Sequence, residues 1–283
     1  MTHHPTHNAA LQWATPAGAH VLVANEVHVW RARVSQAEDC VAELIQILTP
    51  EERGRAARFR FTIDRQRCIL GRALIRIILG HHLRRPSHEL AFAYNAFDKP
   101  RLADARDAAL QFNISHSGEW LLIALAQGRI LGVDVEHMRE DMVTREIAER
   151  FFSAAECAAL ASLSEEQQCD AFFACWTRKE AYLKARGDGL SLPLDQFDVA
   201  FVPGADARLL ATRHNPAEVK RWSLCPLDVG AGHKAALVVE GTDWTLKLWE
   251  WPGGLNFLAQ PNSMVAKGRS ESQDRPAIVP SKA

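Results

Sequence analysis

The predicted elements occur twice in the same order, and this recurrence limits the fold more than any other feature of the chain. A β-rich run with partial alternation, Glu26 to Val34, precedes a helix start at Thr49-Pro50-Glu51-Glu52 and a long helix with one apolar stripe, Gln66 to Leu79. A second apolar run, Ile130 to Val135, precedes a helix start at Ser153-Ala154-Ala155-Glu156 and a long helical pattern, Cys169 to Ala185. Both starts are capping boxes: a Thr or Ser hydroxyl accepts from the third helical amide, and the Glu at that position reaches back to the cap. Pro50 adds a preset φ at the first helical position. Similar spacing of cap and long helix predicts an internal duplication, an α+β fold of two pseudo-equivalent α+β halves, 19–128 and 129–251, with the seam near Gly128. Residues 1–18 are polar and aperiodic and read as a flexible lead-in. Residues 252–283 are rich in Gly, Pro, Ser and charge and read as a disordered tail.

Composition excludes several classes. A net charge of −1 gives no bulk attraction to nucleic acid or to an anionic membrane, although local basic clusters remain open. The N-terminal residues lack the basic-then-apolar layout of a secretory signal, and no uninterrupted apolar run approaches the roughly 18 residues needed to span a bilayer. Six cysteines without a CxxC pair read as reduced thiols. Together these predict a cytoplasmic protein.

Four clusters carry candidate chemistry. In Gly132-Val133-Asp134-Val135-Glu136, a strand sends Asp134 and Glu136 to one side. Neighbouring carboxylates repel unless a cation lies between them, and hard oxygen ligands suit Mg²⁺; solvated acids on a half-exposed strand are the alternative. Trp176, Glu180 and Lys184 form one helical stripe, either a buried Trp beside an ordinary Glu–Lys pair, or a third acid and a phosphate-binding cation. Asn113-Ile114-Ser115-His116-Ser117 stands at a strand end. Adjacent strand residues point to opposite faces, so His116 is poorly placed to activate Ser115, and there is no G-x-S-x-G elbow; a phosphate-binding turn or a plain polar hairpin remains. Arg53, Arg55, Arg58, Arg60, Arg65, Arg67 and Arg72 make a basic set in which the phosphate-binding members cannot be told from solvated ones.

These segments, in order, with Arg150-Phe151-Phe152-Ser153 and Gly187-Asp188-Gly189-Leu190-Ser191-Leu192-Pro193-Leu194, resemble the 4′-phosphopantetheinyl transferase superfamily, most closely its large single-chain, surfactin-synthetase-activating branch. The match runs from about Val21 to Val239. The resemblance implies a pseudo-twofold fold with the active site and coenzyme A between the halves. It implies Mg²⁺, with Mn²⁺ as a substitute, held by Asp134, Glu136 and Glu180. It implies Lys184 on the phosphate, and Ser115, His116, Arg55, Arg67 and Lys99 as further phosphate contacts around the adenosine 3′-phosphate. Asp98 stands where many relatives have Gly, Cys68 where some have Thr, and Glu52 where some have a basic residue.

The implied reaction transfers 4′-phosphopantetheine to a serine of an apo acyl or peptidyl carrier protein, releasing 3′,5′-ADP. Glu180, Lys184 and Asp134 are the expected catalytic residues, with Glu180 taking the serine proton. Both halves of such a site in one chain predict a monomer. Two other readings are a metal-dependent phosphohydrolase acting on a small phosphoester, and an inactive binding protein of the same fold.

Overall fold

The structure, a computed structural model, describes residues 12–16, 18, 20–139, 144–187 and 189–258. The first half runs β1 (Glu26–Arg33), α1 (Val41–Ile47), α2 (Pro50–Ala57), α3 (Thr62–Leu83), β2 (Phe92–Tyr94), β3 (Pro100–Leu102), β4 (Leu110–Ser117) and β5 (Trp120–Gln127). The second runs β6 (Leu131–His137), α4 (Thr144–Phe151), α5 (Ala154–Ala161), α6 (Glu165–Arg186), β7 (Phe197–Val199), β8 (Leu209–Thr212), β9 (Trp222–Leu227) and β10 (His233–Glu240), followed by β11 (Thr245–Glu250). Strand order is β1-β5-β4 in one sheet and β6-β10-β9 in the other, antiparallel at every step. The duplication read from the sequence is therefore present as a repeated topology. The long helices α3 and α6 are 22 residues each, longer at both ends than their apolar stripes indicate, because their polar ends carry no periodic signal.

The two sheets pack face to face and each carries its long helix on the outer side. Alternation along the strands sorts the core. Val27, Val29, Leu122 and Ala124 meet Val133, Val135, Leu237 and Val239 between the sheets. Trp30, Leu121 and Ile123 face the other way, toward Leu70 and Leu74 of α3. Ala236 and Val238 face Ala181 and Ala185 of α6.

Each half is tied by the same buried ion pair. Glu52 of the first capping box receives a two-pronged contact from Arg76 (2.8 and 3.1 Å), which also donates to the carbonyls of Ser87 and Leu90, both at 2.9 Å. Glu156 of the second box is paired with Lys179 at 2.7 Å, and Lys179 also donates to the carbonyls of Leu194 (2.8 Å) and Phe197 (2.6 Å). Arg76 and Lys179 occupy the same place in their helices, fourteen residues past Thr62 and Glu165. Each cation thus fastens a long helix to the capped helix before it and the loop after it.

β11 is the exception to the duplication. It follows the second half in sequence but pairs parallel with β1, extending the first sheet. Ala14, within the expected lead-in, hydrogen-bonds to Leu248 and Glu250, and the Trp13 ring lies 4.7 Å from the Arg31 guanidinium. Phe257 and Leu258, within the expected tail, are buried against the first core. Residues 1–11, 17 and 259–283 of those two segments lie outside the described residues. No helix among the described residues is long and apolar enough to cross a membrane, and none of the six cysteines forms a disulfide.

Beside β11, the first half holds a histidine cluster. His20 stacks on Trp249 (3.9 Å), and His28 lies 5.9 Å from both Trp249 and His82. Burial first, and then the other histidines, pushes His82 down to about 3. His20, His28 and His81 are also lowered, in each case chiefly by burial, with Glu26 opposing the shift at His20 and His28 and Arg84 and Lys247 adding to it at His81 and His28.

Two predictions follow from this architecture. Lys179→Ala leaves Glu156 buried without its cation and should cost about 3–5 kcal/mol of stability, read by urea denaturation. The histidines are lowered in the folded state, so the unfolded chain binds more protons at mildly acidic pH. Stability from this cluster should be full above the ordinary histidine value of 6.5 and decline as pH falls toward 3; His82→Leu should flatten that slope in denaturation curves taken from pH 7 to pH 4.

Candidate active site

The site begins with a glycine. Gly132 lies on the face of β6 that meets α6, and a Cβ there would fall 2.2 Å from the Ala181 carbonyl oxygen and 2.3 Å from the Ala185 amide nitrogen. Only glycine lets the helix backbone touch the strand. From this contact, Asp134 and Glu136 continue along the same face of β6, while Glu180 and Lys184 flank Ala181 and Ala185 on α6. Strand period and helix period thus bring acids from two segments into one place.

Lys184 donates to Asp134 Oδ1 at 2.6 Å and to Ser115 Oγ at 2.8 Å. Ser115 in turn donates to the same Asp134 oxygen at 2.9 Å and accepts from the Val135 amide at 3.3 Å. Asp134 is 2 % exposed, and its second oxygen, Oδ2, is buried with no protein partner. Ser117 donates to Glu136 Oε2 at 2.7 Å. Burial, followed by the charge of Asp134, raises Glu136. Burial, followed by Asp134, pushes Glu180 up to about 7, with Glu136 adding to the rise and Lys184 opposing it.

Among the described residues, no three His, Cys, Asp or Glu side chains stand ready-arranged around a metal position. The donor set nevertheless fits a hard cation. Two carboxyls are raised by burial and then by neighbouring negative charge, a third has an unpartnered buried oxygen, and every donor atom is oxygen.

The other expected phosphate contacts lie around this cluster. His116 points to the face of β4 opposite Ser115; desolvation of its ring lowers it first, then the charges of Arg67 and Lys184. Arg67 donates twice to the Gly118 carbonyl and to Asp64 at 2.9 Å, fastening α3 to the β4–β5 turn. Lys99 donates to the carbonyls of Ala185 (2.9 Å) and Leu131 (3.4 Å), at the C-terminal end of α6. Arg55 stands with Cys68 and Arg72 in a cavity of about 580 Å³, where both guanidinium groups lie over Tyr94, at 5.8 and 5.6 Å. Asp98 takes φ 60°, the left-handed region that favours glycine. Glu52 is the partner of Arg76, a structural use for an acid at that position. A second cavity of about 370 Å³ is lined by Glu136, Ser117, Arg139 and Trp176.

Three residues of the site are not singled out by the sequence. Arg72 is only one of seven arginines. Gly132 is part of a motif with no role of its own, because close backbone approach is a tertiary fact. Ser117 falls in a polar turn. The alternation Asn113, Ser115, Ser117 is the signal that could have found it, since these three share one strand face.

Two 22-residue helices laid on facing sheets of matched topology, with acids from one strand and one helix beside a lysine, define a duplicated enzyme built around a single acidic cluster. Family comparisons agree with that class. Residues 130–238 match the 4′-phosphopantetheinyl transferase superfamily, and residues 30–128 match the 4′-phosphopantetheinyl transferase N-terminal family. The chain is 37% identical over 231 residues to the 4′-phosphopantetheinyl transferase HetI of Nostoc sp., covering 81% of this chain and 94% of that one. It is 32% identical over 201 residues to the 4′-phosphopantetheinyl transferase Sfp of Bacillus subtilis, covering 71% and 85%. This chain belongs to the 4′-phosphopantetheinyl transferase superfamily.

The raised Glu180 gives a stability prediction. Its folded value of about 7 exceeds its ordinary value of 4.5, so the folded state holds the proton more tightly and loses stability as pH rises from 4.5 to 7. In the metal-free protein, Glu180→Gln should therefore raise the melting temperature at pH 8 and change it little at pH 4, as read by thermal denaturation.

Proposed function

We propose that this chain transfers the 4′-phosphopantetheine group of coenzyme A to a serine hydroxyl of an apo acyl or peptidyl carrier protein, releasing 3′,5′-ADP. The observation that carries this reading is the cluster of Asp134, Glu136 and Glu180 beside Lys184, with one buried carboxylate oxygen unpartnered and one carboxyl titrating near neutrality.

Asp134, Glu136 and Glu180 would hold Mg²⁺, or Mn²⁺ in its place, and the bound ion would offset negative charge on the pyrophosphate. Glu180 accepts the proton of the incoming serine. The serine oxygen forms a bond to the phosphorus bearing pantetheine, and the bridging bond from that phosphorus to 3′,5′-ADP breaks. Lys184 places a positive charge beside the phosphate oxygens as charge develops there. Arg55 in its cavity, with Arg67, Lys99, Ser115 and His116, is the proposed set for the adenosine 3′-phosphate region. No nucleophile is needed from this chain, which agrees with Ser115 being committed to Asp134 and Lys184 rather than to a base.

The site draws on both halves of one chain, which supports a monomer. The loop and first turn between α2 and α3 expose Phe59, Phe61 and Ile63 among Arg58, Arg60 and Arg65, a surface suited to an acidic carrier with an apolar contact. Six cysteines without a disulfide suit a cytoplasmic setting.

Incubation of several apo carrier proteins with coenzyme A and Mg²⁺, followed by mass spectrometry, should show one phosphopantetheine added to the active serine and 3′,5′-ADP in solution. Release of phosphate or nucleotide with no modified carrier would instead assign a phosphohydrolase. Glu180→Gln should lower transfer by at least about 10²-fold while coenzyme A binding partly survives; a near-normal rate would remove Glu180 from its role.

A further inference from the structure

β4 and β6 are edge strands of different sheets, yet they run side by side. An exposed strand edge presents unpaired amides that need partners. Here the partners are side chains. The Val133 amide donates to Asn113 Oδ1 at 2.9 Å, the Val135 amide to Ser115 Oγ at 3.3 Å, and the His137 amide to Ser117 Oγ at 3.0 Å. Alternate residues of one strand thus replace the backbone carbonyls of a sheet ladder, and the two halves of the molecule are stitched by three side chains.

The two serines do more than satisfy amides. A hydroxyl has one proton to give and can accept in return. Ser117 accepts from the His137 amide and gives its proton to Glu136 Oε2 at 2.7 Å. Its oxygen is therefore fixed by the backbone of the same strand that carries Glu136, one residue beyond it. The backbone of Ser117 is fixed as well. It opens the β4–β5 turn, where Gly118 takes φ 57° and its carbonyl receives two guanidinium nitrogens of Arg67. A Cβ at Gly118 would lie 2.7 Å from His233 Nε2 and 3.0 Å from His137 Cβ, so the turn is packed without slack. Asn113 is in the same ladder but touches no carboxylate.

We propose that Ser117 is a positioning residue of the transferase, holding the Glu136 carboxylate in the orientation in which it ligates a divalent ion. The first half supplies no acid to the cluster, and through Ser117 it nevertheless governs one of the cluster's oxygens. Ser117 acts through Glu136 and does not touch the reacting atoms. This rests on the reading that Asp134, Glu136 and Glu180 bind a divalent ion.

The test is Mn²⁺ binding to the full chain without coenzyme A or carrier, counted by the loss of the free-ion electron paramagnetic resonance signal. Binding of about one ion by the wild-type protein tests the underlying reading by itself; no binding there removes the basis for the proposal. Given wild-type binding, Ser117→Ala should weaken Mn²⁺ by about 10–100-fold, the range found when a group orienting a metal ligand is removed. Ser117→Thr keeps the hydroxyl and should restore most of the affinity, and it also serves if the alanine variant does not fold. Asn113→Ala removes a rung of the ladder without touching an acid. It should lower the melting temperature and leave Mn²⁺ affinity within about 2-fold. Wild-type affinity in Ser117→Ala, or equal weakening in Asn113→Ala, would overturn the proposal, the second outcome by showing that the ladder acts only on stability.

Discussion

The contact of α6 on β6 at Gly132 is the constraint from which the site follows. Helix and strand backbones touch there, with a Cβ excluded by separations near 2 Å. A strand displays alternate residues on one face and a helix displays residues four apart on one stripe. Anchored at one point, the two periods can bring Asp134 and Glu136 against Glu180 and Lys184 only when the spacing between the elements is minimal. Any side chain at 132 would lift the helix off the strand and separate the acids from one another. The electrostatic state of the cluster depends on the same closeness: carboxyls that crowd one another in a site screened from water rise in pKa, and Glu180 reaches about 7.

The duplication supplies a matched frame, and the acids of the candidate cluster all come from its second half. Glu52 with Arg76 and Glu156 with Lys179 are the same device in both halves, a capping-box acid held by a cation from the long helix that also satisfies two loop carbonyls. Breaking such a pair leaves a buried charge, so the device is hard to lose once fixed. The positions of α3 that correspond to Glu180 and Lys184 are Ile77 and His81, and β1 turns Trp30 and Ala32 toward its helix. The first half has become core, cavity and ladder. Its contributions to the acidic cluster arrive by hydrogen bonds, from Ser115 to Asp134 and from Ser117 to Glu136.

Much of this was legible in the linear chain, for a reason that can be stated residue by residue. Thr49 with Glu52 and Ser153 with Glu156 announce helix starts because capping chemistry is local. Asp134 with Glu136, and Trp176 with Glu180 and Lys184, share faces because side-chain period is local too. Lys179 shows where this reasoning stops. It lies in the most motif-rich stretch of the chain, where its spacing marks no role, yet it is fully buried and ties α6 to Glu156 and to the carbonyls of Leu194 and Phe197. Lys99 and Arg67, which the family resemblance marks as phosphate contacts, each also hold a backbone carbonyl, of Ala185 and of Gly118. Long flexible cations reach whatever acceptor the tertiary structure brings near, which no spacing rule encodes.

The sequence by itself determined the repeat, the capped helices, the acids on one strand face and one helix stripe, and the family, since all of these rest on short-range periodicity and on motifs kept in order. The tertiary structure alone decided that β11 joins the first sheet, that Asn113, Ser115 and Ser117 act as a ladder for β6, and that one carboxylate oxygen of Asp134 is buried without a partner. These are contacts between residues far apart in the chain. They arise from which sheet edges and faces meet when the halves pack, and the pattern within any one segment is the same whether or not they form.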